Sequence, residues 1–319
     1  MLRYFLKRVL QLIPVLIGVS ILVYFILDLA PGDVVDVIAP DDATVEDKER
    51  IREEMGLNRP IFIRYGEYML QLLQGDLGVS YVTNQSVWKS FAEKAPNTLK
   101  LGLFSTILSV ALSLPLGIYS AQHRGSWKDS LAMILALCGL SMPIFWLGML
   151  LILVFALKLG MLPSGGADSF ASYILPGLAL GISHMGILTR TTRSSMLDVI
   201  RQDYLRTARA KGVPEKDVIN KHALKNALIP IITIIGTQLG GVLGGAVLTE
   251  SVFSWPGVGR LIIDSLNTRD TQMVTGCIIM TTCFFSVILL LVDMIYALVD
   301  PRIKAQYAVK KGGSKKNGK

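Results

Sequence analysis

Residues 274–299 read VTGCIIMTTCFFSVILLLVDMIYALV. One acid, Asp293, interrupts a run that is otherwise uncharged and mostly apolar. At 1.5 Å per residue a helix of about 20 residues crosses the roughly 30 Å hydrocarbon layer, so this stretch is long enough to span a bilayer. Five further runs lie upstream, at Val9–Leu27, Leu99–Ala121, Leu131–Leu157, Tyr173–Leu188 and Ile229–Leu248. Tyr173–Leu188 is short for a span. Pro14, Pro115, Pro143, Pro176 and Pro230 fall within or at the start of these runs; packed membrane helices tolerate proline because neighbours satisfy the freed carbonyls. The expected fold is an all-α integral membrane protein of about six transmembrane helices.

Composition agrees. The chain of 319 residues is 51% hydrophobic and 18% charged, against about 25% charged in soluble domains. Its net charge of +8 sits beside the apolar runs rather than in a patch with interleaved aromatics, which argues for topology and against nucleic acid. Cys138, Cys277 and Cys283 lie in apolar runs without CxxC spacing and read as small buried residues. Arg3, Lys7 and Arg8 precede a first run longer than a signal-peptide core, with no small-x-small cleavage site before Pro31, so it is read as an uncleaved helix.

Lys and Arg orient the chain. With the amino terminus inside, segments 1–8, 122–130, 189–228 and 300–319 hold 21 of the 32 basic residues and only six of the 24 acids. Both termini are therefore expected in the cytoplasm. The resulting division is 1–27, an amino-terminal segment with helix 1; 28–98, a long extracytoplasmic segment; 99–299, a core of helices 2–6 containing the cytoplasmic loop 189–228; and 300–319, a basic tail. Segment 28–98 holds 13 acids and seven bases. It has an amphipathic stretch at 44–55 and a helical run at 60–74 that starts with proline and is followed by Gly75. The Lys/Gly-rich residues 308–319 have the composition of a disordered tail.

The sharpest local signal is DYLRTARAKGVPEKDVINKHALKNALIP, Asp203–Pro230. A basic helix runs to Lys211, Gly212-Val213-Pro214 breaks it, and a second helix from about Glu215 to Leu228 leads into the fifth span. Such a turn either serves as a solvated, topology-enforcing loop or presents a knob to a partner. In span five, Gly236, Gly240 and Gly244 recur every four residues, as do Gly241 and Gly245. That spacing permits close helix approach, inside this subunit or at a seam with another. Asp293 is costly in a membrane, but its nearness to Asp300 favours a structural role over proton coupling. His123 and His184 look incidental, whereas His222 is expected to cap or pack the loop. No GxxxxGK[ST] is present, and no His, Cys and carboxylate cluster suggests a metal. The chain is expected to bind no cofactor and to perform no hydrolysis itself.

The loop resembles the EAA-x3-G segment of ATP-binding-cassette importer permeases. Ala208, Gly212, His222-Ala223-Leu224, Asn226 and Pro230 match it, and Arg206-Thr207 replace the opening Glu-Ala. RTARAKG is characteristic of the dipeptide, oligopeptide and nickel permease group. LAPGD at 29–33, GDLG at 75–78, SMPIFW at 141–146, TRSSML at 192–197, ESVFSWPGVGR at 250–260, Arg269-Asp270 and Asp300-Pro301-Arg302 extend the resemblance along the chain. It implies a type I importer permease architecture in a bacterial inner membrane. It also implies a second, similar permease, two cytoplasmic ATPases carrying ATP and Mg, an extracytoplasmic substrate-binding protein and surrounding lipid. Arg206, Thr207, Ala208, Arg209, Ala210, Lys211, Gly212, Val213 and Pro214, with His222, would couple to the ATPases. Gly236, Gly240, Gly241, Gly244 and Gly245 would lie at the permease seam or along the path. Peptides are the expected cargo, with a nickel or metal chelate as the alternative inside the family and a self-sufficient proton-coupled carrier outside it.

Overall fold

The computed structural model describes the backbone of residues 2–299 and the side chains of residues 10–241, 246–292 and 294. The tail expected at 308–319 lies outside the described residues, and Asp293 lies outside the described side chains. Helices appear in the order α1 Leu2–Leu29, α2 Val35–Ile38, α3 Val45–Glu54, α4 Ile61–Leu73 and α5 Val87–Gln122. There follow α6 Trp127–Ser141, α7 Ile144–Leu151, α8 Ala171–Ile200, α9 Asp203–Ala210, α10 Glu215–Asp217, α11 Leu224–Val252, α12 Val258–Asn267 and α13 Thr271–Val299. Turns of π-helix at Ile152–Lys158 and Val218–Ala223 continue α7 and join α10 to α11. Among the described residues five helices are long and apolar enough to cross a membrane, or six if the bent pair α6–α7 is one span.

That pair corrects the straight helix expected over 131–157. The axes of Trp127–Ser141 and Ile144–Lys158 diverge by 101°. Proline crowds the residue before it out of the helical region, and Met142 is extended at ψ 129° while Pro143 caps α7. Membrane packing does not rescue this proline. The short fourth run, by contrast, sits in a helix of 30 residues, α8. Its Thr189, Thr192 and Ser195 lower the hydropathy yet are buried, Thr192 donating to the Leu188 carbonyl at 2.8 Å.

The chain divides into two compact units. The first contains residues 1–100, 165–167 and 246–286. Its α3 begins with a capping box, in which Thr44 Oγ1 accepts from the Asp47 amide and the Asp47 carboxylate accepts from that of Thr44. No α3 residue is buried; ion pairs of Arg52 with Asp33 and Asp36 and of Lys48 with Asp36 hold it. Helix α5 starts twelve residues before the apolar run because Val87, Phe91, Ala95 and Thr98 form one buried face. Leu77, Val258, Ile262, Met273, Val274 and Cys277 complete that core.

Around it lies a buried polar network that hydropathy does not reveal. Glu250 is fully buried. Its carboxylate accepts from Thr98 Oγ1 at 2.6 Å and from the Arg260 amide at 3.0 Å, which caps the first turn of α12. Asp270 accepts from the Ser80 hydroxyl and, at 3.1 Å, from the Met273 amide at the start of α13. Desolvation, with Asp270 adding to it, pushes the Tyr81 phenol above its ordinary range. Trp255 is buried and donates from Nε1 to the Asn97 carbonyl at 3.2 Å.

The second unit, among the described residues 101–164, 168–245 and 287–299, is organised around α8. Helices α6 and α7 both pack on it. A Cβ at Gly139 would meet the Ile182 carbonyl, and one at Gly186 the Ala136 carbonyl, so each helix offers a glycine to the other's backbone. Asp129 on α6 receives a bidentate guanidinium from Arg193 on α8, both bonds 2.7 Å long. It also accepts from the Ser120 hydroxyl and, at 2.9 Å, the Gly125 amide.

Candidate functional site

The segment around α9 is built from a short amphipathic helix and a glycine stop. Leu205 is fully buried in a cluster with Val218, Ile219 and Ala223 from the following segment, Ala121 of α5, Leu188 and Met196 of α8, and Ala227 and Ile231 of α11. Ala208 and Val213 pack against the same cluster. Tyr204 accepts at its hydroxyl from Asn226 Nδ2 at 2.7 Å, a second tie to α11. A helix of eight residues would be marginal alone. Its apolar face is bolted to three long helices.

The end of α9 explains the Ala-x3-Gly spacing. The Val213 amide donates to the Ala208 carbonyl at 3.2 Å and the Gly212 amide to the Arg209 carbonyl at 3.0 Å. These are the paired bonds of a Schellman stop, completed by the apolar side chains of Ala208 and Val213 on one surface. Gly212 has φ +79°, where an L side chain is strained. Pro214 then starts the next helix, and its carbonyl accepts from the amides of Asp217 and Val218 at 2.9 and 3.0 Å. Arg209 grips Glu215 in a two-bond fork, 3.0 and 2.9 Å, bracing the turn from outside.

What remains outside is a compact exposed tip: Arg206, Thr207, Ala210, Lys211, Gly212 and Pro214. Arg206 is three-quarters exposed and, among the described residues, pairs only with the still more exposed Asp203 at 3.6 Å. The structure thus brings Arg206 to Pro214 into one knob, with Ala208 and Val213 as its root. His222 departs from expectation: it is exposed, and its backbone carbonyl, rather than its ring, accepts from Asn226 at 3.4 Å. Val218, Ile219 and Ala223 take the buried face of this π-helical segment, and His222, like Lys221 before it, falls on the exposed one. The second helix leads into the fifth span, running from Glu215 through Val218–Ala223 into α11 with no stop signal between them.

The glycines of α11 do not act as one stripe. A Cβ on Gly236 would run into Val292 of α13, so this glycine serves packing within the chain. Gly241 is exposed and faces open space, whereas Gly240 is buried. Gly244 and Gly245 lie outside the residues whose surroundings are described.

Sequence reasoning missed Asp129, Arg193, Glu250 and Asp270 as structural centres, although three of them lie in motifs quoted above. An acid flanked by small hydroxyl residues and glycine was the available signal.

Comparisons with known proteins place this geometry. Residues 113–305 match the model of the binding-protein-dependent transport system inner membrane component, and residues 1–102 that of its amino-terminal region. The glutathione transport system permease protein GsiC of Salmonella paratyphi A is 43% identical over 304 residues, covering 95% of this chain and 99% of the relative. The dipeptide transport system permease protein DppB of Alkalihalophilus pseudofirmus is 42% identical, covering 95% of this chain and all of the relative. Two inward-facing crystal forms of the MetNI methionine ABC transporter match 66% of this chain and 96% of theirs. Their TM-scores are 0.58 and 0.56 at 16% identity, a likeness of fold. Membership implies ATPase and substrate-binding partners. The chain belongs to the binding-protein-dependent inner membrane components, the multi-pass permease subunits of ATP-binding-cassette importers, in the peptide and nickel group.

Proposed function

We propose that this chain is one of two non-identical permeases forming the pathway of a short-peptide importer, with the α9 knob as its coupling element. The cargo reading rests on the relatives at 42–43% identity, whose names specify a dipeptide and glutathione, itself a tripeptide. The basic-residue bias supports a cytoplasmic position for both termini and the knob, on the side where two ATPases would bind ATP and Mg. The extracytoplasmic segment receives a substrate-binding protein. Once Gly236 is assigned to internal packing, Gly240, Gly241, Gly244 and Gly245 remain for the seam with the second permease or the path.

One observation carries the mechanism. The exposed tip from Arg206 to Pro214 is rooted through Leu205, Ala208 and Val213 in a cluster shared by α5, α8 and α11. A tip rooted in this way moves with those helices. Closure of the ATPases on ATP would displace the knob and rock the membrane helices as a body, exposing the path to the other side. Charge on Arg206 and Lys211 aids docking only modestly, exposed pairs contributing about 0–1 kcal/mol each.

Gly212→Pro tests this reading. Proline cannot adopt the positive φ of that position and removes the amide that donates to Arg209. In proteoliposomes the variant complex is expected to insert and hydrolyse ATP while peptide uptake per ATP collapses. Uptake per ATP at the unaltered value would refute the coupling assignment.

A further inference from the structure

We propose that α4 is a re-entrant helix inside the bilayer, with one strip against lipid acyl chains and the adjoining strip lining a water-filled entrance. Its depth follows from its partners on the first span, Leu10–Leu29. Arg64 pairs with Asp28, Phe62 packs on Phe25, and Tyr65 contacts Tyr24 and Phe25. Further along α4, Tyr65 and Met69 both reach Ser20, at 2.9 and 3.7 Å. The helix therefore runs antiparallel along α1, from near its carboxyl end toward its middle. Ser20 lies nine residues before Leu29, about 14 Å along the axis. Leu70 and Leu73 follow Met69, so they lie at that depth or beyond.

The exposed half of α4 is segregated. Phe62, Leu70 and Leu73 are 74%, 62% and 79% exposed. With Gly66 they occupy positions i, i+4, i+8 and i+11, a single strip bordering the α1 contact. It continues the apolar exposed surface of α1, formed by Ile17, Ile21, Leu22 and Ile26. Glu67, Gln71 and Gln74, all exposed, form the neighbouring strip. Glutamines and a carboxylate at membrane depth are tolerated where they meet water and not where they meet hydrocarbon. A cavity of about 420 Å³ meets α4 at Arg64, where Asp28, Asp33, Arg52 and Arg269 share its wall with apolar residues such as Leu27 and Leu266. Arg64 stands one turn before Glu67 on the same side of α4, so the charged part of this wall adjoins the polar strip. Part of the segment expected to lie wholly outside the membrane thus enters it.

The test is collisional accessibility of nitroxide labels in the complete importer in lipid nanodiscs. Phe62→Cys, Leu70→Cys, Leu73→Cys, Glu67→Cys, Gln71→Cys and Gln74→Cys are labelled one at a time in a Cys138→Ser, Cys283→Ser background; Cys277 is fully buried. Only variants that sustain uptake are compared, and three positions per strip keep the test decisive if one fails to fold. Positions 62, 70 and 73 are expected to collide severalfold more with oxygen than with a water-soluble nickel chelate, and 67, 71 and 74 to show the reverse. Nickel access on both strips would place α4 in water, and loss of access to both probes at 62, 70 and 73 would place a protein partner there. Either result overturns the proposal. The readout is independent of cargo, so it stands or falls apart from the peptide assignment.

Discussion

The α9 knob and the Glu250–Asp270 region reach rigidity by opposite means. At the knob, apolar side chains root a polar, exposed tip, and order comes from burial plus a backbone stop. At Glu250 and Asp270 the buried groups are themselves charged or polar, and order comes from saturating carboxylate oxygens with amides and hydroxyls. A surface that docks a partner can keep its polar groups wet. An irregular connection beside apolar helices must satisfy its backbone internally. The contrast predicts that the knob tolerates side-chain changes at its tip that leave the Gly212 stop intact, and fails when that stop or its root is cut. The carboxylate sites should respond even to an isosteric change.

The largest effect is expected at a third site of the second kind, Arg193→Ala. It leaves Asp129, only 8% exposed, without its cation, and should cost about 4 kcal/mol. Thermal unfolding of the purified complex followed by tryptophan emission checks this, and Arg193→Lys should recover part of the loss. Leu205→Ala empties the root of the knob and should cost roughly 3 kcal/mol while lowering uptake per ATP. A stable but uncoupled variant would sharpen the comparison, and a fully coupled one would break it. Glu250→Gln keeps the shape but turns an amide NH2 toward donors that now point at carboxylate oxygens, a loss of about 2 kcal/mol by the same assay. Gly212→Ala strains one residue at positive φ, for about 1 kcal/mol.

Much of the fold was legible because a bilayer imposes length and apolarity on each span. The capped helices α3 and α4 were legible because Thr44, Pro60 and Gly75 act locally. Hydropathy could not say that Pro143 breaks a span while Pro176 sits inside one, since the outcome depends on what packs around each. It also missed the early start of α5, where the buried face Val87, Phe91 and Ala95 is interleaved with Lys89, Glu93 and Lys94. The knob itself was visible in Ala208, Gly212 and Pro214, whose roles are set by backbone geometry within a few residues. Its root was not, because Leu205 looks like any other apolar residue until helices distant in sequence close over it.

The most direct test of coupling is photocrosslinking from the tip. A benzoylphenylalanine at Lys211 in the assembled importer, irradiated and analysed by mass spectrometry, is expected to join this chain to an ATPase subunit, with a yield that changes on ATP binding. Adducts confined to lipid or to the other permease, with transport intact, would contradict the account.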